Sequence, residues 1–126
     1  MADDDDIAML KAIYRSFNER DIDGVLAALT EDVAWANGME GGHVHGRDGV
    51  RAYWTRQWAV VDPHVEPLTF ASGPGGSILV EVRQSVTDLQ GRPLRDSAYG
   101  LKDKMVGHIF QLRDGKVARF DIREDS

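Results

Sequence analysis

Apolar residues change their spacing once along this chain of 126 residues, and that change limits the folds open to it. In the first half they recur mostly every three or four positions, the spacing of one helix face. In the second half they recur every second position, the spacing of one strand face. Helices first and strands afterwards indicate an α+β fold, with helices packed on one face of a curved antiparallel sheet.

Ile7, Leu10, Ile13, Tyr14 and Phe17 predict a helix from about Asp4 to Glu19. Asp21 is a good N-cap for a short second helix carrying Val25, Leu26 and Leu29. Asp32–Asn37 is a short strand, and His43–His45 a short extended piece before Gly46 opens a third helix. Val50, Tyr53, Trp54, Gln57, Trp58 and Val61 form that helix's apolar spacing, and Pro63 stops it. His64–Ser72 is extended, with Pro67 marking an edge or a bulge. Ser77–Asp88 alternates, with Ile78, Val80, Val82 and Val86 on one face. A turn over Leu89–Pro93 leads to a long segment, Leu94–Arg113, bent near Gly100 or Gly107. Asp114-Gly115 is a hairpin signal, and Lys116–Arg123 returns as the last strand.

The length fits one domain spanning residues 1–126, since domains run to about 100–150 residues. No cysteine is present, which removes disulfides, thiol chemistry and cysteine-ligated metal clusters. The net charge of −6 is concentrated before residue 33, and no basic stripe exists to meet nucleic acid. Asp3 to Asp6 instead sit where they complement the first helix dipole. No apolar run reaches the roughly 18 residues of a membrane span, and the acidic start is unlike a secretory leader. A cytoplasmic protein is therefore expected.

Three segments carry a family resemblance: FNERDIDGVLAALTEDVAW, HVHGRDGVRAYWTRQW and HIFQLRDGKVARF. Together they resemble the SnoaL-like and ketosteroid-isomerase-like families of the nuclear-transport-factor-like superfamily, over about Asp6 to Arg123. The resemblance implies a cystatin-like cone of curved antiparallel sheet, closed by three helices around an internal pocket. It also implies pairing of two copies through the outer sheet face. It does not fix an activity, because the superfamily holds isomerases, cyclases, epoxide hydrolases and non-catalytic members. Carried onto this chain, the isomerase's proton-shuttling aspartate falls at Asn37 and its oxyanion tyrosine at Ile13, beside Tyr14. Its protonated aspartate falls at His108. Steroid isomerisation by that mechanism is therefore not expected.

His108 and Asp121 are the leading catalytic candidates. A two-residue hairpin at Asp114-Gly115 sets partner numbers to sum to 229, so His108 faces Asp121 and Phe110 faces Arg119. The family resemblance turns the face of His108 into the cone. A carboxylate there would fix the imidazole tautomer and raise its basicity, as general acid–base work requires. A one-residue bulge would move Asp121 to the opposite face and leave an ordinary surface charge. Tyr14, Trp35, Trp54, Trp58 and Phe110 suit a flat apolar ligand, with Asn37, His43 and Arg119 as polar contacts. Plain core packing is the competing reading for the aromatics. His43-Val44-His45, near Glu40 and Asp48, has a spacing that metal sites use, but alone it is a weak signal.

No metal is expected and no cofactor is signalled, since there is no glycine-rich phosphate loop. The expected partner is a small apolar or aromatic carbonyl compound, handled by cofactor-free isomerase- or cyclase-type chemistry. A non-catalytic ligand-binding or dimerisation module is the alternative. A homodimer through the outer sheet face is also expected, on the ground that Ile78, Val80, Val82 and Val86 would lie uncovered there.

Overall fold

The computed structural model describes residues 4–37, 42–90 and 104–124. Helix α1 spans Asp4–Asn18, with Asp4, Asp5 and Asp6 in its first turn at the positive end of the dipole. Its inward face is Leu10, Ile13 and Tyr14, all buried. Asp21 caps helix α2, Ile22–Leu26, by accepting from the Gly24 backbone N–H at 3.1 Å. This helix ends before Leu29, which is instead the first residue of strand β1, Leu29–Ala36. Strand β2 is His43–His45, and helix α3 runs Gly46–Trp58 with Val50, Tyr53, Trp54 and Gln57 buried.

The remaining strands are β3, Asp62–Ser72; β4, Ile78–Thr87; β5, Lys104–Arg113; and β6, Lys116–Glu124. They form one curved, unclosed sheet in the order β2-β1-β6-β5-β4-β3. Most neighbours are antiparallel, but β1 and β6 run parallel: α3 carries the chain from the β2 edge to the β3 edge, and the meander from β3 to β6 returns it to the middle beside β1. Strand β3 lies at an edge, and its register shifts between Pro67 and Thr69, the accommodation expected of Pro67. The expected turn beyond Gln90, the segment around Gly100 and the acid Glu40 lie outside the described residues. Gly107 does not break β5, where it pairs regularly with Glu81 and Arg123.

The core lies between the helices and the inner sheet face. Ile78, Val80, Val82 and Val86 are 0–3% exposed within the single chain and point into this core. They are not an uncovered face, which removes the ground on which a homodimer was expected. The outer face carries Glu81, Arg83, Met105, Ile109, Arg119, Asp121 and Arg123 instead, by alternation from the inward residues. Among the described residues no helix is long and apolar enough to cross a membrane.

Candidate functional site

The last hairpin decides which side chains meet. Asp114 and Gly115 both have positive φ, 55° and 77°, as a tight two-residue turn of the primed type requires. Arg113 pairs with Lys116 and Leu112 with Val117, as the hairpin count predicts. The register then shifts, and Gln111 pairs with Arg119 across one extra residue, Ala118. The shift falls where β6 also binds β1: the Val117 N–H donates to the Ala28 carbonyl at 2.8 Å. Beyond it, His108 stands opposite Ile122, Ile109 opposite Asp121, and Phe110 opposite Phe120. The expected pairs His108–Asp121 and Phe110–Arg119 therefore do not form, because the bulge turns Asp121 and Arg119 to the outer face.

Asp121 accepts there from Arg119 Nε at 2.8 Å and lies 2.8 Å from His43 Nε2. Burial alone would raise the Asp121 carboxyl, but the hydrogen bonds from Arg119 and His43 outweigh it and hold the carboxyl below its usual range. His43 reaches it from β2, where it pairs with the small Ala36 of β1. His43 is thus part of an outer-face ion-pair group, not a residue of the pocket mouth. His45 and Asp48 are exposed, and Glu40 lies outside the described residues.

The inner face keeps His108. Its imidazole is 5% exposed and stands between Val106 and Phe110 on β5. Nδ1 lies 2.7 Å from the hydroxyl of Tyr14 on α1, 94 residues away in the chain. The two rings are nearly parallel, 5° apart, with centroids separated by 5.8 Å. Burial drives the His108 pKa down to about 3 and raises the Tyr14 phenol well above its ordinary value. Both groups are therefore neutral near pH 7. A phenol is the better proton donor and an imidazole nitrogen the better acceptor, so the bond runs from Tyr14 O–H to Nδ1. The neutral ring then carries its proton on Nε2. Among the described residues Nε2 has no hydrogen-bond partner, yet it is not sealed from the cavity.

The cavity beside it holds about 80 Å³. Tyr14, Trp35, Trp54, Phe110 and His108 line it, as the sequence suggested. Asn37 and Trp58 are not among its lining residues. Asn37 lies just past the end of β1, with its backbone N–H bonded to the Gly42 carbonyl at 2.9 Å. Trp58 stacks behind Trp54 at 5.7 Å, one helical turn on. Phe120 joins the wall because of the bulge, stacking on Trp35 at 4.2 Å. Gln57 and Tyr53 of α3 also line the cavity, and Gln57 was legible only as a polar residue inside an apolar helical stripe. No described lining residue is an aspartate or glutamate.

A family model described as a SnoaL-like domain matches residues 10–120. The chain belongs to the SnoaL-like family. It shares 27% identity with an NTF2-like protein of unknown function from Burkholderia pseudomallei, over 98% of this chain and 92% of that one, at a TM-score of 0.79. It shares 26% identity with TerC, crystallised with polyporic acid, over 96% and 92%, at a TM-score of 0.78. An LEH-like epoxide hydrolase of M. tuberculosis shares the fold at 20% identity, over 94% and 80%, at a TM-score of 0.73. No curated protein sequence matches the chain. The SnoaL-like membership agrees with the cystatin-type architecture, and a fold neighbour from Novosphingobium aromaticivorans carries that description.

Proposed function

We propose that this SnoaL-like chain binds a small apolar or aromatic carbonyl compound inside the cone. The carbonyl oxygen would accept a hydrogen bond from His108 Nε2–H. The observation that carries this reading is the buried imidazole, held through Nδ1 by Tyr14, with its second nitrogen unpartnered among the described residues and open to an apolar cavity. A neutral imidazole cannot act as a strong base, but it can polarise a carbonyl in a site of low dielectric. Tyr14 thereby acts through His108, orienting the ring and fixing its tautomer. TerC, co-crystallised with polyporic acid, supports an organic ligand for a chain this similar.

At about 80 Å³ the cavity is smaller than the ~150 Å³ that accommodates benzene in an engineered core. Ligand entry in this reading displaces a wall residue, and Phe17, a partly buried lining residue, is the natural one. A catalytic version needs a separate base to take the α-proton while Nε2–H stabilises the enolate oxygen, and the neutral His108, donating from Nε2 and held at Nδ1 by Tyr14, is not that base. The absence of a carboxylate among the described lining residues favours the second reading, a binding module without turnover.

Acetophenone is a suitable probe, because Trp35 and Trp54 line the cavity and report binding by fluorescence quenching. Saturable quenching that weakens about tenfold in His108→Phe supports the carbonyl contact, as about 1.4 kcal/mol for a buried hydrogen bond implies. Quenching that is unsaturable, or equal in the two proteins, overturns it. Deuterium exchange at the α-methyl group of the bound ketone, followed by NMR, separates enzyme from module.

A further inference from the structure

The cavity holds a second polar pair that the carbonyl contact does not use. Gln57, on the inward stripe of α3, is 5% exposed. Its Nε2 donates to the hydroxyl of Tyr53, one helical turn earlier, at 3.0 Å. Both side chains line the cavity. A buried amide can accept through its oxygen as well as donate, and leaving that oxygen unused in an apolar site is costly. Among the described residues the Gln57 Oε1 accepts no hydrogen bond, and it is not sealed from the cavity. Val60 and Val61 donate to the backbone carbonyl of Gln57, at 3.1 and 3.0 Å, and do not engage its side-chain oxygen.

At this position the bond to Tyr53 uses only the amide nitrogen. The neighbours of Gln57 on the stripe, Val50 and Trp54, are wholly apolar or nearly so, and an apolar residue would pack there without an unused acceptor. Tyr53 fixes the amide so that its nitrogen is engaged and its oxygen is presented. The cavity therefore offers a donor at His108 Nε2 and an acceptor at Gln57 Oε1, set among aromatic walls.

We infer that Gln57 is a specificity residue, and that the ligand carries a hydroxyl or N–H donor in addition to its carbonyl. This rests on the carbonyl reading above and narrows it to hydroxyaryl carbonyl compounds and their nitrogen counterparts. An unsubstituted ketone would satisfy His108 but leave the Gln57 oxygen dry and unpaired. A site built to hydrogen-bond a hydroxyl discriminates against the analogue that lacks it.

The test compares acetophenone, 4-hydroxyacetophenone and 4-methylacetophenone by tryptophan quenching. Wild-type protein should bind the hydroxy compound about fivefold more tightly than either of the others, the gain of one net neutral hydrogen bond. Gln57→Met keeps an unbranched side chain of similar length, and should erase that preference. Tyr53→Phe, which frees the amide to turn, should reduce the preference without abolishing it. If Gln57→Met does not fold, the hydroxy-against-methyl comparison on wild type decides alone. Equal affinity for those two ketones, or a hydroxyl preference that survives Gln57→Met, overturns the inference even though acetophenone still binds through His108. Failure of all three ketones to bind overturns the carbonyl reading itself.

Discussion

The depressed pKa of His108 makes the stability of this protein depend on pH in a way that one substitution can isolate. In the folded chain the imidazole titrates at about 3, against roughly 6.5 in an unfolded chain. Between those values the unfolded state binds a proton that the folded state refuses. Stability is therefore fully present above about pH 6.5 and is lost as pH falls toward 3. The limiting slope is about 1.4 kcal/mol per pH unit. Acidification from pH 6.5 to 4.5 should cost wild type about 2.3 kcal/mol from this group alone. With a urea m-value near 1.5 kcal/mol/M, that is a fall of about 1.5 M in midpoint. His108→Gln has no such proton to refuse, and its amide can still meet the Tyr14 hydroxyl. Carboxylates such as Asp121 and Asp32, whose pKa values are lowered in the fold, lose their stabilisation mainly below pH 4 and do so equally in both proteins. Urea unfolding at pH 7.5, 6.5, 5.5 and 4.5 thus reads His108 as the difference between two slopes. If the variants lose stability in parallel across that window, the imidazole is not buried and neutral, and the reasoning fails.

Three further outcomes follow from the packing. Tyr14 resists ionisation in the fold, so wild-type stability should fall as pH rises past about 10, and Tyr14→Phe should flatten that alkaline arm in urea titrations. Val80→Asp should abolish folding, read by circular dichroism, because Val80 is fully buried within one chain; a folded monomer would show instead that this face belongs to a subunit contact. A Cβ at Gly107 would stand 3.2 Å from Arg123 Nε, in the row where Arg123 crosses β5 to reach Glu81 at 3.1 Å. Gly107→Ala should therefore change stability by less than about 1 kcal/mol, while the Glu81–Arg123 coupling in a double-mutant cycle falls toward zero.

Local signals were enough for most of the architecture. The 3–4 spacing of Leu10, Ile13 and Tyr14 places α1 and its inward face, and the alternation of Ile78, Val80 and Val82 places β4 as a strand. The same alternation does not say which sheet face the helices cover, so it is equally compatible with a subunit contact, although those valines fill the core. The site depended on one residue of register. Asp114-Gly115 predicts the turn that forms, but the extra residue at Ala118 falls beside the contact of Val117 with Ala28, a long-range bond with no local signature. That bulge moved Asp121 and Arg119 outward and brought Phe120 inward. Tyr14 and His108 were each visible as inward residues, yet their meeting is a tertiary fact, set by how α1 lies across β5.

The most direct test of this account is the imidazole of His108 observed by long-range proton–nitrogen NMR at pH 5. The account predicts a neutral ring protonated on Nε2, with Nδ1 accepting from Tyr14. Its signals should be unmoved by Asp121→Asn and displaced by Tyr14→Phe. A charged ring at that pH, or signals that move with Asp121 and ignore Tyr14, would contradict it.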